Sequence, residues 1–243
     1  MLSRIDLRAS DQMAESLPSR PKVSDSISLD TVREVIAEVR SRGDQALYEL
    51  TERFDGVRLN SLVVPSEEAV RALTALDLDL RHALEKTEAA VRHHYTSRLS
   101  AARTVSDRGL RIRTVVQPVA RAGCYVPGGQ AAYPSTVLMT AVIARVAGVE
   151  TVVVCVPPGT NGEVAQPTLA AAVIAGVDTV HPVGGAQAIA AMAYGTESIR
   201  PVDVIVGPGN EYVALAKREV AGIVGVPSAF AGPSEVVVVA DGM

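Results

Sequence analysis

A chain of 243 residues, 48% hydrophobic and 21% charged, is long enough for one large domain or two modest ones. Its 23 Lys+Arg against 27 Asp+Glu leave a net charge of −4, and it has no Trp, 2 Phe and 6 Tyr, which argues against a basic nucleic-acid footprint and against base-stacking platforms. Cys124 and Cys155 cannot build a disulfide framework, no apolar run reaches the ~18–20 residues of a membrane span, and the N-terminus lacks the apolar core of a signal peptide, so the expectation is a soluble cytoplasmic protein.

Residues 1–120 hold 18 basic and 18 acidic side chains but 3 of the 19 glycines, which suits surface helices. Asp30 is placed to cap a helix whose Val32, Val35, Ile36 and Val39 recur at helical spacing. Gly43 marks its stop, and Asp44 is placed to cap a second helix from Gln45 to Phe54, ending at Gly56. Ser66 with Glu67 and Glu68 opens a third, Ala69 to Leu76, and Leu80 to Leu99 reads as a long fourth. After Gly109, LRIRTVVQPV reads as one or two strands, with Arg111 and Arg113 on the wet face of a sheet.

Residues 121–243 hold 16 of the glycines and 10 of the 14 prolines with only 5 basic side chains. One unit repeats there: a short Val/Ile-rich run, a Gly/Pro turn, an Ala-rich helix. The runs are Thr151–Val156, Thr179–Val183, Val202–Val206 and Glu235–Ala240. The helices are Ser135–Ala147, Glu163–Ala175, Ala186–Tyr194 and Glu211–Val220. This alternation predicts an α/β fold, a Rossmann-like parallel sheet built from βαβ units and preceded by a mainly helical charged region. Ligands of such sheets collect at the carboxyl ends of the strands.

Four loops fall there: Tyr125-Val-Pro-Gly-Gly129, Gly184-Gly-Ala-Gln187, Gly207-Pro-Gly-Asn210 and Gly232-Pro-Ser-Glu235. Taken singly, each is explained by turn chemistry, and Asn210 by plain helix capping. Taken together they place glycines and helix N-termini where an anionic or dinucleotide ligand would sit, with Gln187 and Asn210 offering amides that both donate and accept. None of the loops is G-x-G-x-x-G and no Walker motif exists.

Catalytic groups are scarce. His82, His93 and His94 lie in the charged long helix and read as solvated, while His181 before Pro182 reads as a core or edge histidine. No local spacing assembles a zinc site. Cys124 has no evident base to make it a nucleophile, Cys155 reads as core, and Glu235 is a lone carboxylate.

The loops and their flanks together resemble histidinol dehydrogenase, an NAD-dependent enzyme of histidine biosynthesis. The likeness begins near residue 30 and runs through VRSRGDQALYELTERFDG (Val39–Gly56), GCYVPGG with YPSTVLMTAVIARVAGV (within Gly123–Val149) and VGGAQAIAAMAYGTESI (Val183–Ile199). It continues in VDVIVGPGNEYVALAKREV (Val202–Val220) and AGPSEVVVVAD (Ala231–Asp241). The resemblance implies that Tyr125, Gln187 and Asn210 contact NAD and that Ser234 contacts histidinol. It implies oxidation of L-histidinol to L-histidine through the aldehyde with two NAD, by a zinc-containing homodimer with sites shared between subunits.

The resemblance also implies a division of the chain: an arm over 1–30, the helix-rich part of an incomplete first α/β domain over 31–122, the NAD-binding domain over 123–234, and a strand returning to the first domain over 235–243. The family's zinc ligands and its Glu-His acid–base pair are expected beyond Met243, so no catalytic and no metal residue is assigned and the chain is expected to be inactive alone. Smaller departures are the missing acidic residue before AGPSE and Cys at 124 in place of a bulkier apolar residue. The alternative expectation is a non-catalytic NAD- or metabolite-binding module derived from that enzyme.

Overall fold

The breaker-poor first half folds as four helices. In the computed structural model, which describes residues 29–128 and 131–227, these are α1 (Leu29–Arg42), α2 (Asp44–Asp55), α3 (Ser66–Thr74) and α4 (Leu78–Thr96). Val32, Val35, Ile36 and Val39 are the buried stripe of α1, as their spacing requires. Gly43 and Gly56 break the chain where expected, the second in the left-handed conformation with its N–H donating to Glu52 O.

The expected caps differ. Asp30 lies inside the first turn of α1 instead of ahead of it. Asp44 is the first residue of α2 and makes no capping bond. Its carboxylate instead accepts from the backbone N–H and hydroxyl of Ser198, and its own N–H donates to Glu197 Oε2 at 2.7 Å. A long-range tether has taken the place of a local cap. Helix α4 begins two residues early because Asp77 caps it, accepting from the N–H groups of Asp79 and Leu80. It buries only Leu84 and Val91, and its His82, His93 and His94 face water.

Strands β1 (Arg103–Asp107) and β2 (Leu110–Thr114) form an antiparallel ribbon in which Val105 faces Ile112. All ten residues are exposed, so the expectation of a sheet with only one wet face is corrected: two strands that pair with no third among the described residues have both faces in solvent.

The second half forms a four-stranded sheet of β3 (Arg121–Tyr125), β4 (Thr151–Cys155), β5 (Thr179–His181) and β6 (Val204–Val206), ordered β5-β4-β3-β6 and parallel throughout. Helix α5 runs from Pro134 to Val146 with a π-turn at Leu138–Val142, and is followed in order by α6 (Gln166–Ala175), α7 (Gly185–Tyr194) and α8 (Glu211–Val220). Helix α6 starts three residues later than expected because Glu163 closes a turn, accepting from Gly159 N–H and bonding Asn161. Strand β5 stops before Pro182, which has no N–H for the ladder. The expected strand Glu235–Ala240 and the N-terminal arm through residue 28 lie outside the described residues.

Strand β3 lies inside the sheet, yet its sequence, RAGCY, carries no Val or Ile and breaks the strand pattern with a glycine. That glycine is there for packing: a Cβ on Gly123 would come within 2.6 Å of Met192 Sδ, so its absence lets α7 settle on the sheet. Side chains alternate between two cores. Val153, Cys155 and Tyr125 pack with α1, α2, α7 and α8, whereas Val152, Val154, Ala122 and Cys124 pack with α4, α5 and α6. The chain builds the sheet outward from β3 through β4 to β5, then returns to place β6 on the other side of β3. The strand order reverses between β3 and β6, and that switch point is where an α/β sheet opens a crevice.

Ile189, fully buried in α7, should cost about 2–5 kcal/mol of unfolding free energy when cut to Ala, because the cavity it leaves cannot close. Ile112→Ser on the ribbon should cost less than about 0.5 kcal/mol. Urea denaturation of both variants checks the pair, and equal losses would contradict the burial pattern.

Candidate functional site

Four strand ends are drawn together, two and two, by close contacts that only glycine allows. Gly207, just after β6, has φ +107°, and a Cβ there would lie 2.0 Å from Tyr125 O at the end of β3. Gly184, just after β5, abuts Pro157 beyond β4, where a Cβ would meet Cγ at 2.4 Å. The loops of β3, β4, β5 and β6 therefore converge on one crevice, into which α7 and α8 present their N-termini.

The sequence-chosen residues meet there. Tyr125 is buried as the last residue of β3, and its hydroxyl accepts from Gly185 N–H at 3.2 Å, which leaves the hydroxyl proton to donate. Burial, reinforced by the negative charge of Asp55 and opposed by the Gly185 bond, pushes its pKa up to about 12, so the phenol stays protonated. Gln187 is buried in the first turn of α7. Asn210 caps α8, its Oδ1 accepting from Val213 N–H at 3.1 Å, with the amide NH₂ left to donate. Capping and ligand contact are thus compatible in one side chain. Tyr125, Gln187 and Asn210 all line a single cavity of about 520 Å³. Ser234 and the loop around it, like Gly129, lie outside the described residues.

Sequence reasoning missed three features in and around this cavity. Asp55, the last residue of α2, is among its lining residues; its Oδ2 is buried without a hydrogen-bond partner, and burial raises the carboxyl's pKa. Its only signal was an acidic residue directly before the Gly56 stop. Phe54, Tyr133 and Tyr212 bring partly exposed rings to the same lining. Lys217 is 3% exposed on α8, and its ammonium donates to Gly207 O, holding the loop from behind; desolvation lowers its pKa. That lysine was legible, since it falls on the buried stripe Val213, Ala216, Val220.

The remaining candidates fall away from the chemistry. Cys124 is buried and burial raises its thiol to about 11, while Cys155, wholly enclosed, is raised further, so neither is a ready thiolate. His181 is a core residue whose Nδ1 bonds Leu62 O at 2.7 Å, and burial lowers its pKa. Among the described residues no three His, Cys, Asp or Glu side chains gather to hold a metal, so zinc is not accommodated by them. No helix among them is long and apolar enough to cross a membrane.

A dinucleotide does fit. Two ten-residue helices offer unpaired N–H groups to phosphate, amides and a phenol offer polar contacts, and rings flank the opening. Fold and crevice together define a Rossmann-like α/β protein, with a candidate ligand crevice at the carboxyl edge of a parallel sheet. Residues 18–243 match the family model for histidinol dehydrogenase. The chain is 54% identical over 208 residues to the histidinol dehydrogenase of Parasynechococcus marenigrum, covering 85% of this chain and 47% of that protein. It is 50% identical over 232 residues to that of Pseudomonas fluorescens, covering 94% and 52%. The crystal structure of histidinol dehydrogenase from Elizabethkingia anophelis superposes with a TM-score of 0.84 at 31% identity, over 88% of this chain and 50% of that one. The chain belongs to the histidinol dehydrogenase family, and it spans about half the length of the curated relatives it matches.

Tyr125 makes stability depend on alkaline pH. Its pKa is raised from 10.0 to about 12 on folding, so the unfolded chain gives up the proton first as pH climbs. The stabilisation is whole below pH 10 and is lost between about pH 10 and 12, by up to about 2–3 kcal/mol. Tyr125→Phe should flatten that part of the stability–pH curve, measured by denaturant unfolding, and an unchanged slope would contradict the burial of the phenol.

Proposed function

We propose that this chain is the nucleotide-binding part of a histidinol dehydrogenase and takes NAD into the crevice between Tyr125, Gln187 and Asn210. The single observation that carries the reading is the convergence of those three side chains, from the end of β3 and the starts of α7 and α8, on one cavity at the switch point. Phosphates are received by the N-termini of α7 and α8. Tyr125, pinned by Gly185 N–H, donates its hydroxyl proton into the site, and Gln187 and the free amide of Asn210 orient a carboxamide or sugar edge. When bound, NAD supplies the hydride acceptor for the alcohol. Ser234 is proposed to contact histidinol, and a homodimer to complete the site. Histidine biosynthesis in the cytoplasm suits a protein with two reduced, buried thiols.

Alcohol oxidation also needs a base to take the hydroxyl proton. Among the described residues no histidine lines the cavity, and its buried tyrosine is held protonated. The 243-residue chain is therefore proposed to bind NAD without turning histidinol over. The competing reading, a non-catalytic module that takes NAD or a pathway metabolite, shares the binding step and differs only in whether a catalytic partner segment restores activity.

Calorimetry with NAD should show binding, and Asn210→Ala should weaken it roughly 2–10-fold, the worth of one neutral hydrogen bond. Unchanged affinity would remove Asn210 from the site. Incubation with histidinol, NAD and zinc should produce no NADH above background, and measurable turnover would overturn the proposed inactivity.

A further inference from the structure

We propose that the apolar face of the β1–β2 ribbon docks a second copy of this chain, ribbon face on ribbon face, about a twofold axis that crosses the strands at the level of Val105 and Ile112. The proposal rests on the ribbon alone and needs neither the dinucleotide reading of the crevice nor the subunit pairing proposed to complete it. Register assigns the faces. Arg103 pairs with Thr114, Val105 with Ile112 and Asp107 with Leu110, and residues paired across an antiparallel ladder share a face. Thr104, Ser106, Arg111 and Arg113 fall on the other face. A two-residue turn at Arg108 (φ +45°) and Gly109 (φ +83°) fixes that register. One face is therefore polar and rich in arginine, as water requires, and the other is not. Val105 is 47%, Ile112 62% and Leu110 70% exposed on it. A two-stranded ribbon is marginal by itself in water, and large apolar side chains grouped on one of its faces mark a surface that a partner covers.

Charge names the occupant. The apolar face carries Arg103 at its open end and Asp107 at its turn end, roughly 13 Å apart along the strand. That pattern complements itself when reversed. A second ribbon laid antiparallel on the first sets Arg103 of each copy over Asp107 of the other, Val105 over Val105 and Ile112 over Ile112. The same patch then serves both subunits, so the contact closes in a dimer. A twofold axis running along the strands would instead gather both arginines at one end and both aspartates at the other, which like-charge repulsion opposes. Sheets packed face to face lie ~10 Å apart, a gap that a long arginine and an aspartate reaching from opposite sides can span. Asp107 is not committed elsewhere: Arg108 Nε lies 4.0 Å from its carboxylate, and both side chains stand in water.

The test follows self-association of the 243-residue chain by sedimentation velocity over a range of concentrations, with the variants Ile112→Glu, Arg103→Glu and Asp107→Arg. The wild-type chain should associate, and Ile112→Glu should weaken that association at least roughly tenfold by burying a charge at the axis. Arg103→Glu and Asp107→Arg should each weaken it roughly 3–10-fold, because each sets like charges together at both symmetric contacts. An equal mixture of those two variants should associate as tightly as the wild type, since each then presents the charge that the other needs. All three should melt with the wild type, because an exposed ribbon side chain adds little to folding. A wild-type chain that stays monomeric at every concentration would overturn the proposal and leave the face to a different polypeptide. Association that Ile112→Glu leaves unchanged would overturn it in favour of another surface. A mixture no tighter than either charge variant alone would overturn the twofold pairing of Arg103 with Asp107.

Discussion

The rest of the structure depends on how closely the backbone after β6 approaches the end of β3. With a Cβ at 207 only 2.0 Å from Tyr125 O, no other residue type fits without moving a strand. The contact sets the width of the crevice at the switch point. It also sets the height of Tyr125 against the N-terminus of α7, where Gly185 N–H reaches the hydroxyl. Lys217 reinforces the same loop from the opposite side by donating to Gly207 O. Burying an ammonium for this purpose is expensive, which is consistent with a loop whose position matters more than its share of stability.

Around that point the two cores act as a clamp. One seats α1 and α2 on α7 and α8, and so carries Asp55 and Phe54 from the helical first half to the crevice formed by the second half. The tether between Asp44 and Ser198 works at the far end of α2 to the same effect, tying the helix start to the segment after α7. Both ends of α2 are therefore positioned by the α/β half, and its final carboxylate arrives in the site as a consequence.

Much of this architecture was legible in the residues because it rests on local rules. Periodicity located α1, glycine located its end and that of α2, and alternation of apolar runs with Ala-rich segments announced a parallel sheet. Tyr125, Gln187 and Asn210 could be picked out because strand-end glycines and helix starts have sequence signatures. Strand β3 was not legible: RAGCY has little strand character, and its place in the sheet comes from packing, with Gly123 making room for Met192. The ribbon of β1 and β2 alternates as a half-buried sheet should, yet nothing among the described strands covers either face. Alternation reports a strand but not what lies against it.

By itself the sequence determined the fold class, the ends of most elements and three of the side chains that line the crevice, since propensity, periodicity and turn chemistry act over a few residues. Only the tertiary structure decided that those three share one cavity, that Asp55 and Phe54 join them, and that Asp55 does so with an acceptor unsatisfied. The reason is distance along the chain. Residues 55, 125, 187 and 210 have no local relation, and their meeting is set by the strand order β5-β4-β3-β6 and by the glycines that let the loops touch.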